Sequence, residues 1–170
     1  MPVELISIQG LWPLASRIPW LVALIARSYF TANRLAGLVY ADLYPRNEAA
    51  RIDLGSVATF QLHLQIINLS PFELEIQQAN FHFWSGGVKL EAIVLKKERI
   101  APGTSMSLFL SGSVGEGQAN QIAQLHQQNP SSLEGNIEFK CLVRPFAKQV
   151  GPLSGVQTVV INESHRKNAA

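Results

Sequence analysis

From residue 51 onward apolar side chains fall on every second position, the period of a strand whose two faces meet different surroundings. Phe60, Leu62, Leu64 and Ile66 alternate with Gln61, His63 and Gln65. The alternation returns in Val88, Leu90, Ala92 and Val94, and again in Met106, Leu108 and Leu110. Ile137, Phe139, Cys141 and Val143 repeat it, as do Val156, Thr158 and Val160. Turn residues separate the runs: Ser70-Pro71, Ser85-Gly86-Gly87, Pro102-Gly103, Asn129-Pro130 and Gly151-Pro152. Short alternating strands with such punctuation predict a mainly β protein, an antiparallel β-sandwich of about seven strands.

One stretch breaks the rhythm. In "INLSPFELEIQQANFHFWSGG" the apolar set Phe72, Leu74 and Ile76 occupies even positions, whereas Ala79, Phe81 and Phe83 occupy odd ones. Successive strand residues point to opposite faces, so both sets reach one core only if an extra residue or a bend intervenes. A bulge or strand break is therefore expected near Gln77-Gln78, and Ser85-Gly86-Gly87 then supplies the positive φ of a tight hairpin.

A helix interrupts the strands. Ser113-Val-Gly-Glu116 has capping-box spacing, Ala119, Ile122, Ala123 and His126 share a face, and Asn129-Pro130 ends the element. The nearby "GEGQAN" is no dinucleotide loop, because Asn120 replaces the third glycine and no βαβ unit surrounds it.

Composition changes near residue 42. Residues 11–40 hold Arg17, Arg27 and Arg34, no acidic residue and an apolar majority. With Pro19 in a first turn, the segment predicts one amphipathic helix reaching Tyr40. Arg27, Ser28, Thr31 and Arg34 form its polar arc, and Trp20, Leu24, Tyr29, Phe30 and Leu38 belong to its broad apolar arc. Arginines near the middle, each costing about 2.5–3.5 kcal/mol in a bilayer, weigh against a transmembrane span. A helix packed on its own domain or on a partner subunit, a helix lying in a membrane interface, and a span or anchor remain the alternatives. The expected organisation is a helical, apolar attachment segment over residues 1–41, a sandwich over 42–162 and a polar tail over 163–170.

The totals suit a globular chain: 47% apolar, 15% charged and a formal net charge of +2. That charge is too small to make nucleic acid an expected partner. The lone Cys141 excludes an internal disulfide and a cysteine zinc cage, and fits a reducing cytoplasmic or membrane-associated setting. His63, His82, His126 and His165 show no metal-ligand spacing, and His63 and His82 fall on outward strand positions. Cys141 shares the inward phase and reads as a small buried hydrophobe. Glu73 and Glu75 read as a solvated outer face, and Trp84 as a cap on the core. Lys96-Lys97-Glu98-Arg99 reads as a solvated turn; with Lys89, Arg144, Lys148, Arg166 and Lys167 it could form a basic patch, diluted by Glu91, Glu98 and Glu138. Asn68-Leu-Ser70 and Asn162-Glu-Ser164 fit the glycosylation triplet by chance. No catalytic, cofactor or metal motif is visible, so no enzyme activity and no cofactor are expected.

Five segments in order resemble the late embryogenesis abundant (LEA) type 2 family over about residues 42–162. They are Asn68-Leu-Ser-Pro71-Phe72, "FHFWSGGVKL", "ERIAPGTSMSLFLSGSV" with the helix after it, "LEGNIEFKCLV" and "GPLSGVQTVVI". Leu69-Ser70 departs from the family's Asn-Pro-rich turn, and the arginine-bearing N-terminal segment lies outside the domain. The resemblance implies an immunoglobulin- or fibronectin-III-like sandwich and a non-enzymatic role linked to stress, membranes or protein contacts. Contact is expected through Trp20, Leu24, Arg27, Tyr29, Phe30, Arg34 and Leu38, with a membrane surface or with a protein partner, a homo-oligomer included. The rival expectation is a structural subunit whose N-terminal helix packs into a neighbouring chain.

Overall fold

The computed structural model describes residues 26–43 and 50–164. The fold is mainly β, with two five-stranded sheets face to face and few helices. In chain order the elements are α1 (Ala32–Gly37), β1 (Val39–Leu43), β2 (Ala50–Asp53), β3 (Thr59–Asn68), β4 (Leu74–Ser85) and β5 (Val88–Val94). They continue with β6 (Arg99–Ile100), β7 (Ser105–Ser113), α2 (Glu116–Leu125), β8 (Ser131–Lys140), β9 (Pro145–Val156) and β10 (Thr158–Ile161). The pieces beyond the seven or so strands anticipated include the short β2 and β6, which are too brief to show an alternating pattern.

β3 organises the first sheet. Its Thr59-to-Ile67 edge pairs antiparallel with β7, while β1 and β2 share the opposite edge, meeting residues 64–68 and 59–61 respectively. β10 then joins β2 in parallel, an exception in an otherwise antiparallel sandwich. The second sheet runs β5-β4-β8-β9, with β6 beside the start of β4. Phe60, Leu62, Leu64 and Ile66 of β3 face Phe81 and Phe83 of β4, all nearly inaccessible to solvent, and Phe60 stacks on Phe83 at 5.8 Å. Burying each such side chain contributes about 1.5–3 kcal/mol, so the alternation selects the sheet faces.

The phase slip is a bulge at the expected place. Register between β4 and β8 steps from Ile76↔Phe139 to Gln78↔Glu138, leaving Gln77 unopposed. Leu74 and Ile76 before it, and Ala79, Phe81 and Phe83 after it, are all buried. Gly86 and Gly87, at φ 59° and 76°, form the two-residue turn into β5. Glycine serves a second purpose where rings need room. Gly135 lies across from Phe81, and Gly112 from Phe60; a β-carbon on Gly135 would fall 2.4 Å from the Phe81 ring, and one on Gly112 would fall 2.5 Å from the Phe60 ring.

Several expectations change. The single helix to Tyr40 is broken: residues 26–29 are helical, the chain bends at Phe30, and Thr31 caps α1 by accepting from the Arg34 amide at 3.3 Å. From Val39 the chain is strand, because pairing with residues 64–68 satisfies its amides while burying Val39. A cut between residues 41 and 42 therefore falls inside β1, and Leu35 and Val39 belong to the core. Ser113 does not cap α2, since it remains in β7 opposite Thr59; Gly115 occupies the cap, its amide donating to Gln118 Oε1 at 2.9 Å. The buried face of α2 is nonetheless Ala119, Ile122 and Ala123. Trp84 is no core cap: after the bulge, even positions face outward, and it is 36% exposed. Cys141 is half-buried rather than enclosed.

Phe81→Ala is expected to cost about 3–5 kcal/mol in urea unfolding, whereas His82→Ala on the outer face stays within about 0.5 kcal/mol. Gly135→Ala, which drives a methyl into the Phe81 ring, is expected to cost about 1–3 kcal/mol. A costly His82→Ala with a tolerated Phe81→Ala would reverse the register assigned here.

Candidate functional site

A buried carboxamide builds one end of the sandwich. Asn68, at the end of β3, is fully enclosed. Its Nδ2 donates to the carbonyls of Phe72 (2.8 Å), Ile100 (3.0 Å) and Ala101 (3.2 Å), and its Oδ1 accepts from the Ser70 amide (2.9 Å) and hydroxyl (2.6 Å). Its backbone amide donates to Thr104 O, and its carbonyl accepts from Gly103. The loop after β3, the strand β6 and the turn before β7 are thus held together. The same enclosure leaves Asn68 no freedom to carry a glycan.

The N-terminal segment is docked on this end. Phe30 meets the Phe72 ring edge-on at 4.9 Å, and Tyr29 meets Phe30 at 5.0 Å. The Arg34 guanidinium lies 4.5 Å over the Tyr29 ring and donates to Tyr29 O at 3.1 Å. Arg144, in the turn from β8 to β9, donates to the Arg27 carbonyl, and the Leu38 carbonyl accepts from the Leu69 amide. Of the anticipated contact residues, Arg27, Tyr29, Phe30, Arg34 and Leu38 gather here; Trp20 and Leu24 lie outside the described residues. Phe30 and Leu38 are half-buried, whereas Arg27, Tyr29 and Arg34 are exposed.

The loops add members that the N-terminal reading alone omits. Leu69 is 60% exposed and Leu142 88% exposed, beside Tyr29 at 61%. Phe72, Glu75, Arg99, Lys140, Cys141 and Leu142 line an open groove of about 450 Å³. Alternation could have marked Leu142, an apolar residue out of phase with the inward Phe139, Cys141 and Val143. Arg144 was visible only as a member of a dispersed basic set.

Charge is unevenly divided. This end and its loops carry Arg27, Arg34, Lys96, Lys97, Arg99, Lys140 and Arg144 against Glu73, Glu75 and Glu98. The rest of the described chain reverses the ratio, with Arg51, Lys89 and Lys148 against Asp42, Asp53, Glu91, Glu116, Glu134, Glu138 and Glu163. The acids at this end are already engaged: Arg99 meets Glu73 at 3.5 Å and Glu75 at 3.3 Å, and Lys96 meets Glu98 at 2.5 Å. The Glu75 carboxyl is held below its ordinary value, first by the hydrogen bond from Gln77 Nε2 at 2.7 Å, then against some desolvation by the charges of Arg99 and Lys97. The bulge residue therefore also tunes a neighbouring charge.

Among the described residues no three His, Cys, Asp or Glu side chains come together as metal ligands, and no helix is long and apolar enough to cross a membrane. Cys141 spends its thiol on Arg144 O at 3.2 Å.

No family model matches the sequence, and no curated protein matches it. Solved structures overlap it loosely. A protein provisionally named ApaA from Bordetella pertussis is 12% identical, over 70% of this chain and 89% of that one, at a TM-score of 0.43. A protein from Archaeoglobus fulgidus is 11% identical over 66% of this chain and 91% of that one, at 0.39. A protein provisionally named late embryogenesis abundant is 11% identical over 91% of this chain and 92% of that one, also at 0.39. Overlaps this loose carry no functional argument.

Asn68→Ala is expected to lower stability by about 1–3 kcal/mol, since it strands the buried Ile100 carbonyl; Asn68→Asp, which cannot donate, should lose nearly as much in the same denaturant titration. Gln77→Ala should raise the Glu75 titration toward the ordinary carboxylate value by carbon-detected NMR. A depressed native value means that the Glu75 contribution to stability is present above the ordinary carboxylate range and is lost as pH falls through the native value. An unmoved titration in Gln77→Ala would assign the shift to Arg99 instead.

Proposed function

We propose that this chain is a non-catalytic binding domain of the LEA type 2 kind, with a stress-protective role exercised while its N-terminal segment attaches it to a membrane surface. The observation that carries the reading is the docking of residues 26–38 onto the basic, loop-bearing end of the sandwich, through Phe30 on Phe72 and Arg144 on the Arg27 carbonyl. In sequence, the apolar stretch of residues 11–25 directly precedes this docked segment. The family reading draws support from the order of the resembling segments. Asn68-Leu-Ser-Pro71-Phe72 forms the buried amide turn, "FHFWSGGVKL" spans the β4–β5 hairpin, and "LEGNIEFKCLV" covers β8 and the start of the turn after it.

The test is vesicle flotation of the full chain beside a Trp20→Asp/Leu24→Asp variant. The wild type is expected to float and the variant to remain with the soluble fraction, both with the same thermal melt. Flotation of neither, together with a lipid-free size several times that of one chain, would replace membrane attachment with the subunit reading.

A further inference from the structure

We propose that the loop-bearing end of the sandwich is itself an anionic-lipid-binding face, with Leu69 and Leu142 entering the interfacial layer and Lys97, Lys140 and Arg34 meeting headgroups. This rests on the attachment reading above but adds a second contact, made by the folded domain rather than by residues 11–25.

Three observations converge on a planar anionic partner. The first is apolar exposure at loop tips: Leu142 at 88% and Leu69 at 60% project from separate connections at one end, beside Tyr29 at 61%. Exposed leucines on strand-to-strand turns stabilise nothing inside the fold, and grouped exposure of this kind marks a contact surface. The second is charge. This end holds seven basic residues to three acidic and the rest of the described chain three to seven, so an anionic surface is drawn to this end before any other part. Arg27, Arg34, Lys140 and Arg144 form no salt bridge with a carboxylate among the described residues, whereas Glu73 and Glu75 share Arg99 and Glu98 meets Lys96. The third is shape. The groove that Leu142 lines sets Glu73 and Glu75 against Arg99 and Lys140, so it offers an acidic peptide no net positive seat. A flat surface instead meets the exposed tips Leu69 and Leu142.

A second copy of the chain fits less well. A two-fold contact, the commonest arrangement of a homodimer, would set one basic end against the other. Lipid meets the apolar tips and the basic rim together: each cation near an anionic leaflet and each buried leucine adds independently to partition.

The experiment uses the full chain and large unilamellar vesicles of phosphatidylcholine alone or with added phosphatidylserine, at low and high salt. Wild type is expected to partition more strongly onto the phosphatidylserine vesicles, with the preference shrinking at high salt. Lys97→Glu/Lys140→Glu should lower partition onto phosphatidylserine vesicles about tenfold or more and leave phosphatidylcholine binding unchanged. Leu69→Ser/Leu142→Ser should lower partition about tenfold or more on both compositions. All four positions are exposed, so unaltered thermal melts are expected, and Leu142→Ser alone supplies the readout should Leu69→Ser disturb the Asn68 turn. Equal wild-type partition onto both vesicles, or tip and charge variants that bind as wild type does, would overturn the proposal and leave attachment to residues 11–25 alone. Wild type that binds neither vesicle would overturn both readings. Lipid-free association abolished by Lys140→Glu would replace the lipid by a second copy.

Discussion

The Asn68 carboxamide is the junction on which one end of this molecule depends. A β-sandwich must reverse its chain repeatedly without the regular ladder to satisfy the carbonyls at each reversal. Here one side chain takes up the carbonyls of Phe72, Ile100 and Ala101 and receives Ser70 in return. The side chain is fully enclosed, and of its carbonyl partners that of Ile100 is buried and would lose its bond if the side chain were shortened. Phe72 is held by this turn, Phe30 packs on Phe72, and the entry of the N-terminal segment follows from that contact. A local polar arrangement thereby fixes where an apolar segment joins the domain.

The second constraint is parity. Each strand must keep one face dry across its whole length, and β4 cannot do so without correction because its apolar positions change parity partway along. Gln77 supplies the correction by standing unopposed in the ladder. The rings of Phe81 and Phe83 then return to the interior, where Gly135 and Gly112 make room for Phe81 and Phe60 from across their sheets. Aromatic bulk and glycine are complementary halves of one packing solution, one pair in each sheet.

These features differ in how far they can be read from the chain. Alternation is a one-dimensional signal, so the strands, the bulge and the Gly86-Gly87 turn were all legible. The glycine–ring pairs were not, because each depends on which residues face one another across strands. The N-terminal segment misled for a related reason. Leu35 and Val39 suit both a helical stripe and a helix-to-strand passage, and only the partner edge of β3 decides between them. Trp84 misled because ring size suggested burial while parity placed it outside. At the candidate surface, Arg27, Tyr29 and Arg34 could be singled out along the sequence and Leu142 stands out of phase, but Leu69 and Lys140 join them through topology alone.

The parallel pairing of β10 with β2 sets an order of events during synthesis. β2 has four residues and only three register positions on β3, so its outer edge stays open until the strand Thr158–Ile161 arrives. About a hundred residues separate the two, which at ribosomal rates of about 5–20 residues per second amounts to several seconds or more of waiting. The last strand must also clear the exit tunnel before it can pair. The first sheet therefore stays unfinished until Thr158–Ile161 has emerged, and that exposed edge is the place where a chaperone or a neighbouring nascent chain would have its opportunity.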